Sequence, residues 1–81
     1  MELKEFAEYL VKSIVKEPDL VKVQQFGGEE ESTILEIIVC DSDKGAVIGR
    51  NGKMASALRT LIQAHAYILG MNRVKINIDS F

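Results

Sequence analysis

Along the first seventeen residues the apolar positions fall three and four apart. Leu3, Phe6, Ala7, Leu10, Val11 and Ile14 share one side of a helical wheel, with Lys4, Glu5, Glu8, Lys12 and Lys16 opposite. That spacing predicts a helix over residues 2–17, ended by Pro18, because the residue before a proline is pushed out of helical geometry. The period then shortens to two. Val21 and Val23 alternate with Lys22 and Gln24 in LVKVQQF (20–26), and TILEIIVC (33–40) is a second strand rich in β-branched side chains. Gly27, Gly28 and the run Glu29, Glu30, Glu31 read as a solvated loop between them, so the pair predicts a hairpin.

Helical spacing returns after residue 40. Asp41, Ser42 and Asp43 supply N-caps for a short helix from Lys44 to Ile48. Gly49–Gly52 interrupts it, and a long helix is expected over 53–69. Met54, Leu58, Leu61, Ile62, Ile68 and Leu69 form the apolar stripe of that helix, with His65 at its centre. Gly70 is placed to end it in a left-handed conformation. RVKINID (73–79) alternates again, with Val74, Ile76 and Ile78 inward and Arg73, Lys75 and Asn77 outward.

The order is α-β-β-α-α-β. Its second strand reaches the last through two helices, which implies a parallel pair joined by a right-handed crossover. The fold class expected is α+β: one domain over residues 1–81, a three-stranded mixed sheet with three helices on one face. Ile34 and Ile38 then point out of the uncovered side of the sheet. Ala66 and Tyr67 fall on the polar side of the last helix, and these four residues are the material for contact with a second copy, a homodimer.

Composition adds limits. With 47% hydrophobic and 27% charged residues the chain is globular in character. A lone cysteine, Cys40, excludes an internal disulfide, and it reads as a buried small hydrophobe closing its strand. No apolar run approaches the ~20 residues of a membrane span, and the acidic N-terminus lacks a signal-peptide pattern, so a cytoplasmic protein is expected. The net charge of −2 hides a division. Residues 1–43 hold four lysines against eleven carboxylates, a balance of −7. Residues 44–81 hold six basic residues against Asp79 alone, a balance of +5. An anion is therefore drawn to the second half.

There the stretch AVIGRNGKMA (46–55) stands out. Gly49 and Gly52 remove side chains that would hold a phosphate away, Arg50 and Lys53 add positive charge, and Asn51 both donates and accepts. The following helix begins with unpartnered backbone N–H groups and a positive dipole end. A sugar-phosphate backbone fits there. A mononucleotide P-loop does not: five residues after Gly45 stands Arg50, and Met54 follows Lys53 where a hydroxyl is required. The dinucleotide pattern fails as well, since Ala46 and Val47 follow Gly45.

Val47-Ile48-Gly49-Arg50-Asn51-Gly52-Lys53, set between two helices and after a strand, resembles the (V/I)-I-G-x-x-G signature of KH domains. The element order is that of the bacterial, type II form. Over its whole length the chain is similar to the small bacterial single-KH proteins of the KhpA group. In KH domains this loop clamps about four single-stranded nucleotides. The resemblance implies a non-catalytic protein that needs no cofactor and binds single-stranded RNA. Gly49, Arg50, Asn51 and Gly52 would form the clamp, Lys53 would attract phosphate, and Val47 and Ile48 would pack the groove floor. Lys44 and Arg59 flank the clamp as further phosphate contacts. It also implies an RNA chaperone or post-transcriptional regulator that pairs with itself or with a larger Jag-type KH partner and serves envelope homeostasis and cell length.

The alternative is a helix-turn-helix DNA binder, in which Lys53, Ser56, Arg59, Thr60 and Gln63 share the exposed side of the second helix. An enzyme finds no nucleophile–base pair or metal cluster in the sequence. Asp41 and Asp43 read as capping residues, and His65 as a core-edge histidine with a satisfied ring nitrogen.

Overall fold

The computed structural model describes residues 1–27, 33–71 and 74–81. The elements follow in the expected order: α1 (Leu3–Lys12), β1 (Lys22–Phe26), β2 (Thr33–Val39), α2 (Asp41–Ile48), α3 (Lys53–Ile68) and β3 (Val74–Ser80). Short 3₁₀ turns lie at Pro18–Leu20 and Arg50–Gly52. Arg73 and the Glu29–Glu31 run fall outside the described residues.

β2 is the central strand. It pairs antiparallel with β1, Val23 opposite Ile37, and parallel with β3, Leu35 opposite Ile76. Alternation sorts its side chains cleanly. Thr33, Leu35, Ile37 and Val39 are buried, while Ile34 is exposed and Ile38 half-buried on the other face. All three helices cover the buried side. Leu3, Ala7 and Val11 of α1, Val47 of α2, and Leu58, Ile62 and Ala66 of α3 meet the inward strand residues in one core. Full burial of each Leu, Ile or Val there contributes roughly 1.5–3 kcal/mol relative to exposure. Ile78, at the end of β3, is only half-buried against that core.

Helix α1 stops five residues short of position 17. Ser13 ends it, its hydroxyl donating to the Tyr9 carbonyl at 2.7 Å. The apolar spacing continues through Ile14, but a tertiary contact overrides it. The backbone N–H groups of Lys16 and Glu17 donate to the two carboxylate oxygens of Asp43, at 3.1 and 3.0 Å. Those amides are thereby pulled out of helical register. Pro18 opens a 3₁₀ turn instead of closing a helix, and Leu20 lies exposed in that turn before β1 begins.

Asp43 is therefore no cap of its own helix. It is 2% exposed, inside α2, which starts three residues earlier than predicted with Cys40 as N-cap and no side-chain capping bond. Asp41 accepts a hydrogen bond from the Ser80 hydroxyl at 3.1 Å, joining the start of α2 to the end of β3. Cys40 is half-buried rather than buried, with its sulfur 3.3 Å from the Ser42 hydroxyl.

The buried face of α3 also differs from the expected stripe. Ala55, Leu58, Ile62 and Ala66 are buried, while Met54, Leu61, Ile68 and Leu69 are exposed. Ala66, expected outside, is in the core at 1%. Small residues at 55 and 66 let the helix approach closely, and close packing favours that face over the bulkier one beside it. His65 sits at the edge, stacked on Phe6 with ring centroids 4.4 Å apart. Its Nε2–H donates to the Met1 carbonyl at 2.7 Å, which ties the N-terminus to α3.

Replacing Asp43 by Ala strips two backbone N–H groups of a charged acceptor. A loss of about 2–3 kcal/mol is expected, a large share of the stability of so small a domain. Urea unfolding should show a lower midpoint with an unchanged slope.

Candidate nucleic-acid interface

The Gly49–Gly52 loop is built by three departures from ordinary backbone, at residues 49, 51 and 52. Helix α2 closes when the Gly49 N–H donates to the Gly45 carbonyl at 2.8 Å. Gly49 itself takes φ 77 and ψ 175, a combination that belongs almost to glycine alone. Asn51 follows at φ 55, the one non-glycine residue with positive φ among the described residues, and Gly52 at φ 74. Asn is among the residues that accept the left-handed region most readily.

A second constraint acts on Gly49. A Cβ there would lie 2.6 Å from the Met54 Cβ and 2.8 Å from the Met54 backbone nitrogen. Its backbone is thus pressed flat against the first turn of α3. Gly52 has open space around it, so only its backbone conformation asks for glycine.

Inside the loop the N–H of Gly52 donates to the Gly49 carbonyl at 3.2 Å, and that of Lys53 to the Arg50 carbonyl. The N–H groups of Arg50 and Asn51 have no partner among the described residues. The side chains of Arg50, Asn51 and Lys53 are exposed. Free amides, two exposed cationic side chains and the positive end of α3 thus belong to one short loop, a combination suited to phosphate oxygens.

The structure separates the other predicted site residues. Val47 is fully buried and braces the loop from the core, while Ile48 is half-buried beside it. Lys44 is exposed and lies 4.0 Å from the Asp79 carboxylate. Arg59 reaches the other way, its Nε donating to the Ile76 carbonyl at 3.4 Å. One turn later Gln63 Nε2 donates to the Val74 carbonyl. Both carbonyls belong to β3, an outer strand of the sheet. The polar side of α3 thus lies over a strand edge whose hydrogen-bonding groups would otherwise be open. Sequence reasoning grouped Arg59 and Gln63 with a DNA-reading face. Their spacing of four residues on one helix shows that they act together, but not that a strand edge is their partner. Strands on both sides of the helix pair, and polar side chains turned to β3, do not favour the helix-turn-helix alternative.

The fold and the glycine loop between two helices define a type II KH module. The family described as KhpA/KhpB, KH domain, matches residues 4–78. Relatives called RNA-binding protein KhpA are 50% identical over 62 residues in Borreliella burgdorferi, covering 76% of this chain and 74% of the relative. The relative in Streptomyces coelicolor is 47% identical over 62 residues, with 76% and 77% covered. In Chlamydia pneumoniae the identity is 30% over 77 residues, with 95% and 94% covered. The chain belongs to the KhpA/KhpB KH-domain family. Among solved structures, Era in complex with MgGDPNP and nucleotides 1506–1542 of 16S ribosomal RNA superposes with a TM-score of 0.66 at 20% identity. That match covers 96% of this chain and 29% of Era, and it establishes likeness of fold.

The two loop glycines should respond differently to substitution. Gly49→Ala meets both a forbidden conformation and a backbone collision, so a loss of about 3 kcal/mol or more is expected. Gly52→Ala meets only the left-handed conformation, at about 1–2 kcal/mol. Equal losses in parallel denaturation curves would contradict the packing of Gly49 on Met54.

Proposed function

We propose that this protein is a non-catalytic, single-KH module that binds single-stranded RNA through the Gly49–Gly52 loop. The observation that carries the reading is the pair of unpartnered amides at Arg50 and Asn51, beside exposed Arg50 and Lys53 at the head of α3. One phosphate accepts from the amides, and the cationic side chains neutralise its neighbours. KH loops of this kind hold about four nucleotides, with the bases in the adjoining groove. Here that groove runs along the polar side of α3, where Arg59 and Gln63 meet the edge of β3. Arg59 is therefore placed to act on bases more than on phosphates, and Lys44 contributes only when it leaves Asp79.

The wider role is proposed from resemblance to the KhpA group. An RNA chaperone or post-transcriptional regulator in the cytoplasm, working as a homodimer or with a Jag-type KH partner in envelope homeostasis and cell length, is consistent with a clamp that holds few nucleotides and reads them weakly. No aromatic side chain lies within the loop to stack a base, so sequence preference is modest.

Replacing both Arg50 and Asn51 by Asp should abolish RNA binding while sparing the fold. Asp tolerates the left-handed conformation at position 51, and carboxylates there repel phosphate. Circular dichroism checks the fold, and titration with labelled single-stranded RNA checks binding. Retained affinity in the folded variant would refute the clamp. In the parent protein, two to three neutralised phosphates give a slope of log affinity against log salt of about −1.5 to −2. A flat salt response would show that Arg50 and Lys53 do not touch phosphate. Duplex DNA as competitor excludes the helix-turn-helix alternative if it fails to displace the RNA.

A further inference from the structure

Arg59 and Gln63 bracket a single residue of β3. Arg59 Nε donates to the Ile76 carbonyl at 3.4 Å, and Gln63 Nε2 donates to the Val74 carbonyl. In a strand the N–H and C=O of one residue point to the same side, and successive residues alternate. β3 is an outer strand whose neighbour is β2. Residues 75, 77 and 79 therefore turn their backbone groups to β2, while Val74, Ile76 and Ile78 turn theirs to the open edge. The Ile76 N–H stands beside its own carbonyl at that edge, and no side chain takes it among the described residues.

Arg59 covers this edge loosely. Its bond to Ile76 is longer than the about 3.2 Å of a well-formed one. Its terminal nitrogens have no partner, and no carboxylate pairs with it, among the described residues. Helix α3 contains no carboxylate, and Asp79 of β3 faces Lys44 and the Ser80 N–H. α3 runs antiparallel to β3, since Gln63, one turn later in the helix, meets the strand at Val74, before Ile76. Long side chains on a helix lean toward its N-terminus. The guanidinium tip thus extends past the Ile76 carbonyl toward Ile78.

Along the edge the order is donor, acceptor, donor: the Ile76 N–H, the Ile76 carbonyl and the Arg59 guanidinium. Its complement is acceptor, donor, acceptor, and uracil alone carries that order on its pairing edge, as two carbonyls around N3–H. Cytosine sets its N3 lone pair against the Ile76 carbonyl. Guanine matches the backbone but turns its amino group on Arg59. Adenine matches the backbone through N1 and N6 and leaves Arg59 unpaired. We propose that Arg59, with the Ile76 backbone, selects uracil at one position of the bound strand. As the N3–H of the base takes the Ile76 carbonyl, Arg59 moves to the adjacent carbonyl of the base, so no hydrogen bond is lost. Only an unpaired base offers that edge, which restricts the site to single strands. The proposal rests on the clamp reading above: Arg59 stands about 9 Å along the helix axis from Lys53, within reach of a base whose phosphate the loop holds. One read position leaves the overall sequence preference modest.

Anisotropy titrations with labelled oligo(U), oligo(A) and oligo(C) of equal length test it. Oligo(U) should bind roughly tenfold tighter than oligo(A), with oligo(C) weaker still. Arg59→Ala should lower oligo(U) to the level of oligo(A), leave oligo(C) weakest, and keep the salt slope of the parent. An equal loss for all three with a shallower slope would place Arg59 on a phosphate and overturn the proposal. Oligomers of 3-methyluridine, which lack the N3–H, should bind the parent protein at least tenfold more weakly than oligo(U). That comparison changes only the RNA, so it decides the matter even if Arg59→Ala does not fold; equal affinity for the methylated strand would refute uracil selection. Equal binding of all three parent oligomers would overturn this proposal and leave the clamp standing, whereas binding of none would remove both.

Discussion

The close approach of Gly49 to Met54 sets the geometry on which the site depends. With no side chain at 49, the end of α2 lies flat on the first turn of α3, and the angle between the helices is fixed by backbone contact. A three-residue 3₁₀ turn follows that contact, with Arg50 and Asn51 exposed on it. Loop conformation thus depends on how one glycine packs.

Asp43 performs a comparable service on the other side of the domain. A buried carboxylate without partners would be costly, and here two backbone amides from the segment after α1 satisfy it. The contact joins the segment after α1 to α2, 27 and 26 residues apart in sequence. Ser80 on Asp41 closes β3 against the same helix, and His65 on Met1 anchors the N-terminus to α3. With a core of mostly small and medium side chains, such directional contacts define the arrangement as much as apolar burial does. The loop side chains are exposed and replaceable, whereas their backbone geometry is secured from beneath by Gly49 and Val47.

Most of the fold was legible in the sequence because its signals are local. The period of two in Val21–Val23 and Val74–Ile78, the helical period in α1 and α3, and the stop at Gly70, φ 82 in the structure, each depend on a few neighbouring residues. The order α-β-β-α-α-β then left little choice of topology. The place of the loop was legible for the same reason, since two glycines three residues apart interrupt a helical pattern without reference to the rest of the chain.

Long-range choices were not. The sequence alone determined the elements, their order, the division of charge and the residues of the loop. Only tertiary structure decided that α1 ends at Lys12, because amides 16 and 17 are claimed by a carboxylate 27 and 26 residues away. It also decided which apolar arc of α3 is buried. Both Ala55–Leu58–Ile62–Ala66 and Met54–Leu61–Ile68 satisfy helical spacing, and hydropathy favours the bulkier set. The sheet accepts the set that allows closer approach, so the residues that look most like core remain at the surface, while Arg59 and Gln63 find their partners on a strand edge. Periodicity reports that a helix has an apolar side; packing density determines which of two such sides faces inward.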